Sequence, residues 1–147
     1  MEIHCLDPDG VNEHESKANV ILSEALPRTW KAYSALQTSG RKDQQAEFDL
    51  IIITADRIIV AELKDYDGKL FAKGGKWVVQ INQYQGTRGN GVRQSIRASK
   101  ILNTLITNKL RNKLSMIPFV ESCVVLTGEA TPENLPPDEK EKVFTLE

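Results

Sequence analysis

A chain of 147 residues, 40% hydrophobic and 27% charged, makes one domain of ordinary size, able to bury about 70% of its unfolded surface without disulfide or metal staples. Its 19 Lys and Arg against 20 Asp and Glu leave a formal charge of −1, so no global basicity marks it for nucleic acid, and a polyanion must be held by a local patch or a metal ion. Cys5 and Cys123 lack a CxxC spacing and have only His4 and His14 for company, which argues against a zinc site or disulfide framework and for a reducing cytoplasm; no apolar run reaches membrane-spanning length, and the acidic start (Glu2, Asp7, Asp9) is unlike a secretory signal.

In chain order the pattern predicts an α/β arrangement. Residues 12–26 fit a helix, with Ala18, Ile21, Leu22 and Ala25 at helical spacing and Pro27 as the stop. A strand follows through Trp30, Ala32 and Ser34 to Leu36, then a polar loop over 37–45. Two apolar, β-branched runs, 47–54 and 57–64, are broken at Ala55-Asp56 and predict a hairpin whose strands are buried on both faces. Asp65-Tyr66-Asp67-Gly68 reads as a turn, 76–81 as another strand, and the polar, glycine-rich 82–91 as a flexible loop able to close over a ligand. A long helix is expected over 92–114 and a final buried strand over 119–127. Pro132, Pro136 and Pro137 in an acidic stretch suggest that a domain of residues 1–130 gives way, over 131–147, to a linker or the start of a following region. A strand-like pattern resumes at Val143 and stops abruptly, which reads as a piece of a longer protein, with Leu146-Glu147 as a cloning remnant. There is no internal repeat or low-complexity tract.

The hairpin carries the chemistry. A turn at residues 55–56 brings Asp49 opposite or next to Glu62, and period-two alternation projects Glu62 and Lys64 from one face while Leu63 points to the other. Two carboxylates offer hard oxygen ligands to Mg²⁺ or Mn²⁺, which polarises a phosphoryl oxygen and acidifies water, and Lys64 would hold the attacking water and offset charge developing on phosphorus. The competing reading is a solvated, ion-paired strand face of little energetic weight. Glu15 falls in phase with Ala18 and Leu22, so it points toward a site or closes a capping box with Asn12, or does both; Glu13 falls on the solvated side with Lys17. Gln94, in phase with Ala98, Ile101 and Leu105, predicts an inward amide that serves either the site or a strand end. Arg93, Arg97 and Lys100 form a strip on the same helix, with Arg88 in the loop before it, suited to phosphates or simply solvated. The glycines at 86, 89 and 91 are too loosely spaced for a P-loop.

The ordered set of Glu15, Phe48-Asp49-Leu50-Ile51-Ile52, Val60-Ala61-Glu62-Leu63-Lys64, Gly75-Lys76-Trp77 and Asn90-Gly91-Val92-Arg93-Gln94 resembles the nuclease-related domain (NERD), a branch of the PD-(D/E)xK nuclease-like superfamily, over about 12–126. The resemblance implies a restriction-endonuclease-like αβββαβ core with a mixed sheet flanked by helices, Mg²⁺- or Mn²⁺-dependent cleavage of DNA, and fusion to other domains. By motif it makes Asp49, Glu62 and the Leu63 carbonyl the metal ligands, Lys64 the catalytic lysine, Gln94 the helix glutamine and Glu15 the first-helix acid. Two departures leave every one of these groups in place: Asn90-Gly91 stands where Asn-Pro is common, and Leu63 where Val or Ile is usual. The expected function is thus a deoxyribonuclease module, N-terminal in a larger DNA-processing or defence protein, with DNA, a C-terminal domain of the same chain and further copies of itself as partners and no membrane. The alternative is a nuclease-like module that binds DNA or a neighbouring domain without cutting, or that serves only assembly.

Overall fold

The two β-branched runs form the middle of a six-stranded mixed sheet. The computed structural model describes residues 1–110, 112–113 and 119–146. Strands β1 (Glu2–Cys5), β2 (Lys31–Gln37), β3 (Glu47–Ile53), β4 (Arg57–Lys64), β8 (Phe119–Leu126) and β9 (Val143–Thr145) lie in that spatial order. The β2–β3 and β3–β4 pairs are antiparallel; β1–β2, β4–β8 and β8–β9 are parallel. Helix α1 (Glu13–Ala25) precedes β2 and helix α2 (Gly91–Leu110) precedes β8, so α1-β2-β3-β4-α2-β8 is the expected αβββαβ core, extended by an edge strand on each side.

The helices cover opposite faces because β3 and β4 offer apolar side chains to both. On one face Leu22 and Leu26 at the end of α1 pack on Leu50, Ile52 and Ala61, while Ala18 packs on Leu63 and Val125. On the other, Ala98 and Leu102 of α2 pack on Phe48, Ile51 and Val60. Burying a side chain such as Phe48, 1% exposed, stabilises by about 2–3 kcal/mol. The apolar stripe of α1 is narrower than its spacing suggests: Ile21 is 41% exposed and Ala25 is also on the surface, because the contact line runs through Ala18, Leu22 and Leu26.

Between β4 and α2 a separate three-stranded meander, β5 (Lys69–Lys73), β6 (Lys76–Ile81) and β7 (Tyr84–Arg88), occupies the stretch expected to hold one strand and a loop. Gly74 and Gly75, with φ of 60° and 77°, make the two-residue turn that pairs Lys73 with Lys76. The 82–91 segment is therefore not a free loop. β7 pairs with β6 from Trp77↔Arg88 to Ile81↔Tyr84, and it lacks an apolar period because only Gly86 is buried. Trp77, fully buried, anchors the meander in a cluster with Leu70, Val79, Val92, Val124 and Leu126.

The stretch after Ala130 is not a bare linker in the structure. Leu135 and Val143, each 5% exposed, belong to the same cluster, and β9 extends the sheet through Val124↔Val143. A four-residue helix, α3 (Pro137–Lys140), lies between them. The predicted end of the long helix at Leu114 lies outside the described residues. Among the described residues no helix is long and apolar enough to cross a membrane.

Candidate active site

The register of the central hairpin sets the site. With Leu50 opposite Ala61, the next step outward brings Asp49 to the level of Glu62, and the Asp49 carboxylate (Oδ2) accepts a hydrogen bond from the Leu63 amide at 2.9 Å. The β2 partner strand is irregular at the same point. Ala35 adopts φ 57°, a left-handed conformation that costs a non-glycine residue about 1–2 kcal/mol, and the pairing passes from Ser34↔Leu50 to Leu36↔Phe48 across it. Both strands change faces there: Ala32 and Leu50 join the α1 side, Leu36 and Phe48 the α2 side. Asp49 thus sits at a twist in the sheet, where β4 ends with Glu62, Leu63 and Lys64.

Glu62 Oε1 and Lys64 Nζ lie 3.3 Å apart, with side chains 15% and 18% exposed. Burial pushes the Glu62 carboxyl up to about 6; the Asp49 charge and, more weakly, that of Glu15 push the same way, while Lys64 only partly offsets them. Asp49 is also raised, chiefly by burial, against the Leu63 amide and Lys64. Glu15 is raised by burial first, with Asp49 adding to it, although its hydrogen bond from Asn12 lowers it. Three carboxyls thus resist ionisation around a single ammonium, an imbalance that an added cation would relieve.

The capping box is present. Asn12 Oδ1 accepts from the Glu15 amide at 2.9 Å, and Glu15 accepts from the Asn12 backbone and side-chain amides at 3.3 and 3.1 Å. Both Glu15 oxygens are engaged in that cap, so Glu15 reaches the other acids through its field. Glu13 is exposed and pairs with Lys17 at 2.9 Å. Among the described residues no three His, Cys, Asp or Glu side chains approach closely enough to hold a metal ion. The donors on hand are the Asp49 and Glu62 carboxylates with the Leu63 carbonyl. That set fits Mg²⁺ or Mn²⁺, which take one or two carboxylates and otherwise keep water or bind substrate phosphate.

Gln94 does not point inward as its phase predicts. It is exposed in the first turn of α2, its amide packed against Gly89, because the buried face of that turn runs through Gly91, Val92 and Ser95 and leaves Gln94 on its flank. Tyr66, two residues beyond Lys64, meets the same Gly89. The Tyr66 hydroxyl donates to the Gly89 carbonyl at 3.0 Å, and its ring meets Trp77 edge-on with centroids 6.3 Å apart. Arg88 lies on β7, where its guanidinium donates to the Thr87 carbonyl and its charge, with that of Lys64, acts on Tyr66. Arg93, Arg97 and Lys100 are all exposed and line one groove with Lys42. Reading the sequence missed Tyr66, Lys42 and the pair of His14 with Asp65 (3.2 Å), which ties α1 to the end of β4. The Lys-x-Tyr spacing was a usable signal for Tyr66; nothing local marks the other two.

A second polar junction holds the start of α2. The Asn90 side chain caps the helix by accepting from the Arg93 amide at 3.1 Å, and it donates to the Gly75 carbonyl at 3.1 Å and to Glu139 Oε1 at 2.7 Å. The other Glu139 oxygen accepts from the Trp77 indole at 3.2 Å.

The nuclease-related domain model matches residues 11–127, most of the chain. The chain is also similar to the probable kinase PglW of Streptomyces coelicolor, 24% identical over 138 residues, 92% of this chain and 9% of that protein. It therefore spans less than a tenth of the relative's length. No solved structure matches.

Proposed function

Because the chain belongs to the nuclease-related domain family, within the PD-(D/E)xK-like nucleases, we propose that it is a metal-dependent deoxyribonuclease module that hydrolyses phosphodiester bonds. The observation that carries this reading is the half-buried Glu62–Lys64 pair at 3.3 Å beside Asp49, in a place where three raised carboxyls call for a cation. Asp49, Glu62 and the Leu63 carbonyl would hold Mg²⁺ or Mn²⁺. Bound there, the ion would supply Lewis acidity toward a phosphoryl oxygen and make water a better nucleophile.

The chain's own groups do the rest. Lys64 orients the attacking water with its ammonium and stabilises negative charge as the new O–P bond forms and the ester O–P bond breaks in line. Glu62 holds Lys64 in place, and Asp49 is fixed by the Leu63 amide so that its charge does not swing away. Gln94, beside Gly89 at the start of α2, orients water or the phosphate from the α2 side. Glu15 tunes the acids electrostatically from its capping box.

Supercoiled plasmid and linear single-stranded DNA incubated with the domain, with and without Mg²⁺ or Mn²⁺, test this directly. Metal-dependent nicking or shortening is expected, falling by at least about 100-fold in Lys64→Ala and Glu62→Gln. Wild-type rates in either variant would sink the assignment. The second reading, a module that binds DNA without cutting it, draws on the ion pair itself: Lys64 is already paired with Glu62 at 3.3 Å, and among the described residues no three acid, His or Cys side chains close on one point. It predicts metal-independent DNA binding with no product under any condition.

A further inference from the structure

α2 carries a shallow groove of about 690 Å³ lined by Lys42, Arg93, Ile96, Arg97, Lys100 and Ile101. Among the described residues, four of the six that line it are cations and none is an acid, and α2 itself carries no Asp or Glu, on a chain whose overall charge is −1. Among the described residues, none of the four cations makes an ion pair with a carboxylate. One of them is bonded to backbone and another packs against it. The Arg93 guanidinium lies against Gly75 in the β5–β6 turn, and Arg97 Nη2 donates to the Gln45 carbonyl at 3.4 Å. Lys73 and Lys76 flank that turn and extend the cationic surface past Arg93.

A solvated helix rim is normally interleaved with acids; α2 carries none, Arg97 is tethered to Gln45, and Ile96 and Ile101 floor the groove. We propose that this groove is a backbone-tracking nucleic-acid surface, separate from the Asp49–Glu62–Lys64 cluster, that grips the sugar-phosphate chain without reading bases. Arg93 to Lys100 spans seven residues of helix, about 10 Å, or roughly three nucleotide steps of one strand. The guanidiniums meet phosphates while the isoleucine floor meets sugars. Arg93 adjoins Gln94, which packs against Gly89, the acceptor of the Tyr66 hydroxyl two residues beyond Lys64, so the groove opens beside the end of β4. The inference rests on the nuclease reading only for the choice of nucleic acid among polyanions.

The test is fluorescence anisotropy of labelled single-stranded and duplex oligonucleotides, read in EDTA across a salt series so that binding is measured without cleavage. The Arg93→Ala/Arg97→Ala/Lys100→Ala variant is compared with wild type and with Lys17→Ala as a distant control, and folding is checked by circular dichroism. The expected result is a slope of log affinity against log salt reduced by roughly 2–3 in the triple variant, at least about tenfold weaker binding near 0.1 M salt, and no change in Lys17→Ala. Lys42→Ala alone should reduce the slope by roughly one. Unchanged binding in a folded triple variant overturns the proposal, as does binding to vesicles rich in anionic phospholipid in place of DNA. The two readings fail separately. Cleavage with unaffected affinity leaves the nuclease and removes the groove; affinity lost in the triple variant, with no cleavage by wild type, does the reverse.

Discussion

Glu62 is placed at a cost to the fold. Its carboxyl, raised to about 6 mainly by burial and then by Asp49, prefers its proton in the native state, whereas the unfolded chain titrates near 4.5. Between those values the native state binds more protons than the unfolded one, so this group's contribution is complete below about 4.5 and is lost as pH rises through about 6. Over that span the loss is about 2 kcal/mol. Glu62→Gln keeps the shape without the charge. It leaves the Lys64 ammonium unpaired, but the net upward shift says that desolvation and Asp49 outweigh Lys64 in the wild type. In EDTA the variant is therefore expected to be more stable than wild type by about 1–2 kcal/mol at pH 8 and equal to it near pH 4, as read from urea midpoints. A variant less stable at pH 8 would mean that the Lys64 pair dominates. The same substitution is expected to abolish cleavage, so stability and activity pull in opposite directions at this residue. Strand alternation and a turn at residues 55–56 sufficed to bring Asp49, Glu62 and Lys64 together from the sequence. Gln94 was not legible in that way: phase with Ala98 and Ile101 places it beside the buried stripe, but the stripe is centred on Gly91, Ser95, Ala98 and Leu102, which leaves Gln94 on the exposed flank.

At the scale of elements, the start of α2 depends on a residue far along the chain. Glu139 receives Asn90 at 2.7 Å and the Trp77 indole at 3.2 Å, joining α3, the α2 cap and the meander in one junction. Glu139→Ala leaves a largely buried amide and a fully buried indole without that acceptor, at an expected cost of about 2–3 kcal/mol. Glu139→Gln retains one acceptor oxygen and should fall between the two. Thermal melts give the ranking, and the emission of Trp77 should shift in the Ala variant while that of Trp30 stays constant. A wild-type melt for Glu139→Ala would show that solvent satisfies both donors. Asn90 was visible in the sequence only through the Asn90-Gly91 motif of the family resemblance, and its partner 49 residues away sits in an acidic stretch with no pattern to single it out. The meander strands were obscured for another reason. β5 and β7 are short and mostly solvent-facing, so they carry little apolar period, and reading the sequence missed the Gly74-Gly75 pair, the one local mark of the hairpin.

For the whole molecule, the question is where the cooperative unit ends. Proline spacing and acidity mark residue 131 as a boundary, and the family match stops at residue 127, yet the core continues beyond both. Prolines and acids report only local backbone preference, and they do not register that Leu135 and Val143 return to the cluster around Trp77, or that β9 adds an edge to the sheet. Burying those two side chains stabilises by about 1.5–3 kcal/mol each, and the Glu139 junction adds about 2 more. Together this is roughly 5–8 kcal/mol, a large part of the 5–15 typical of a domain. A chain ended after Ala130 is therefore expected to lose its cooperative urea transition or to melt far below the 147-residue chain, while a true linker could be removed with no change in midpoint. Because Glu139 also holds the Asn90 cap, that truncation should disorder the first turn of α2 before the central hairpin. Hydrogen exchange would then show early loss of protection at the Arg93 and Gln94 amides, with Leu50 to Ile53 protected longest; uniform loss across the chain would instead mark the entire sheet as a single folding unit with its C-terminal segment.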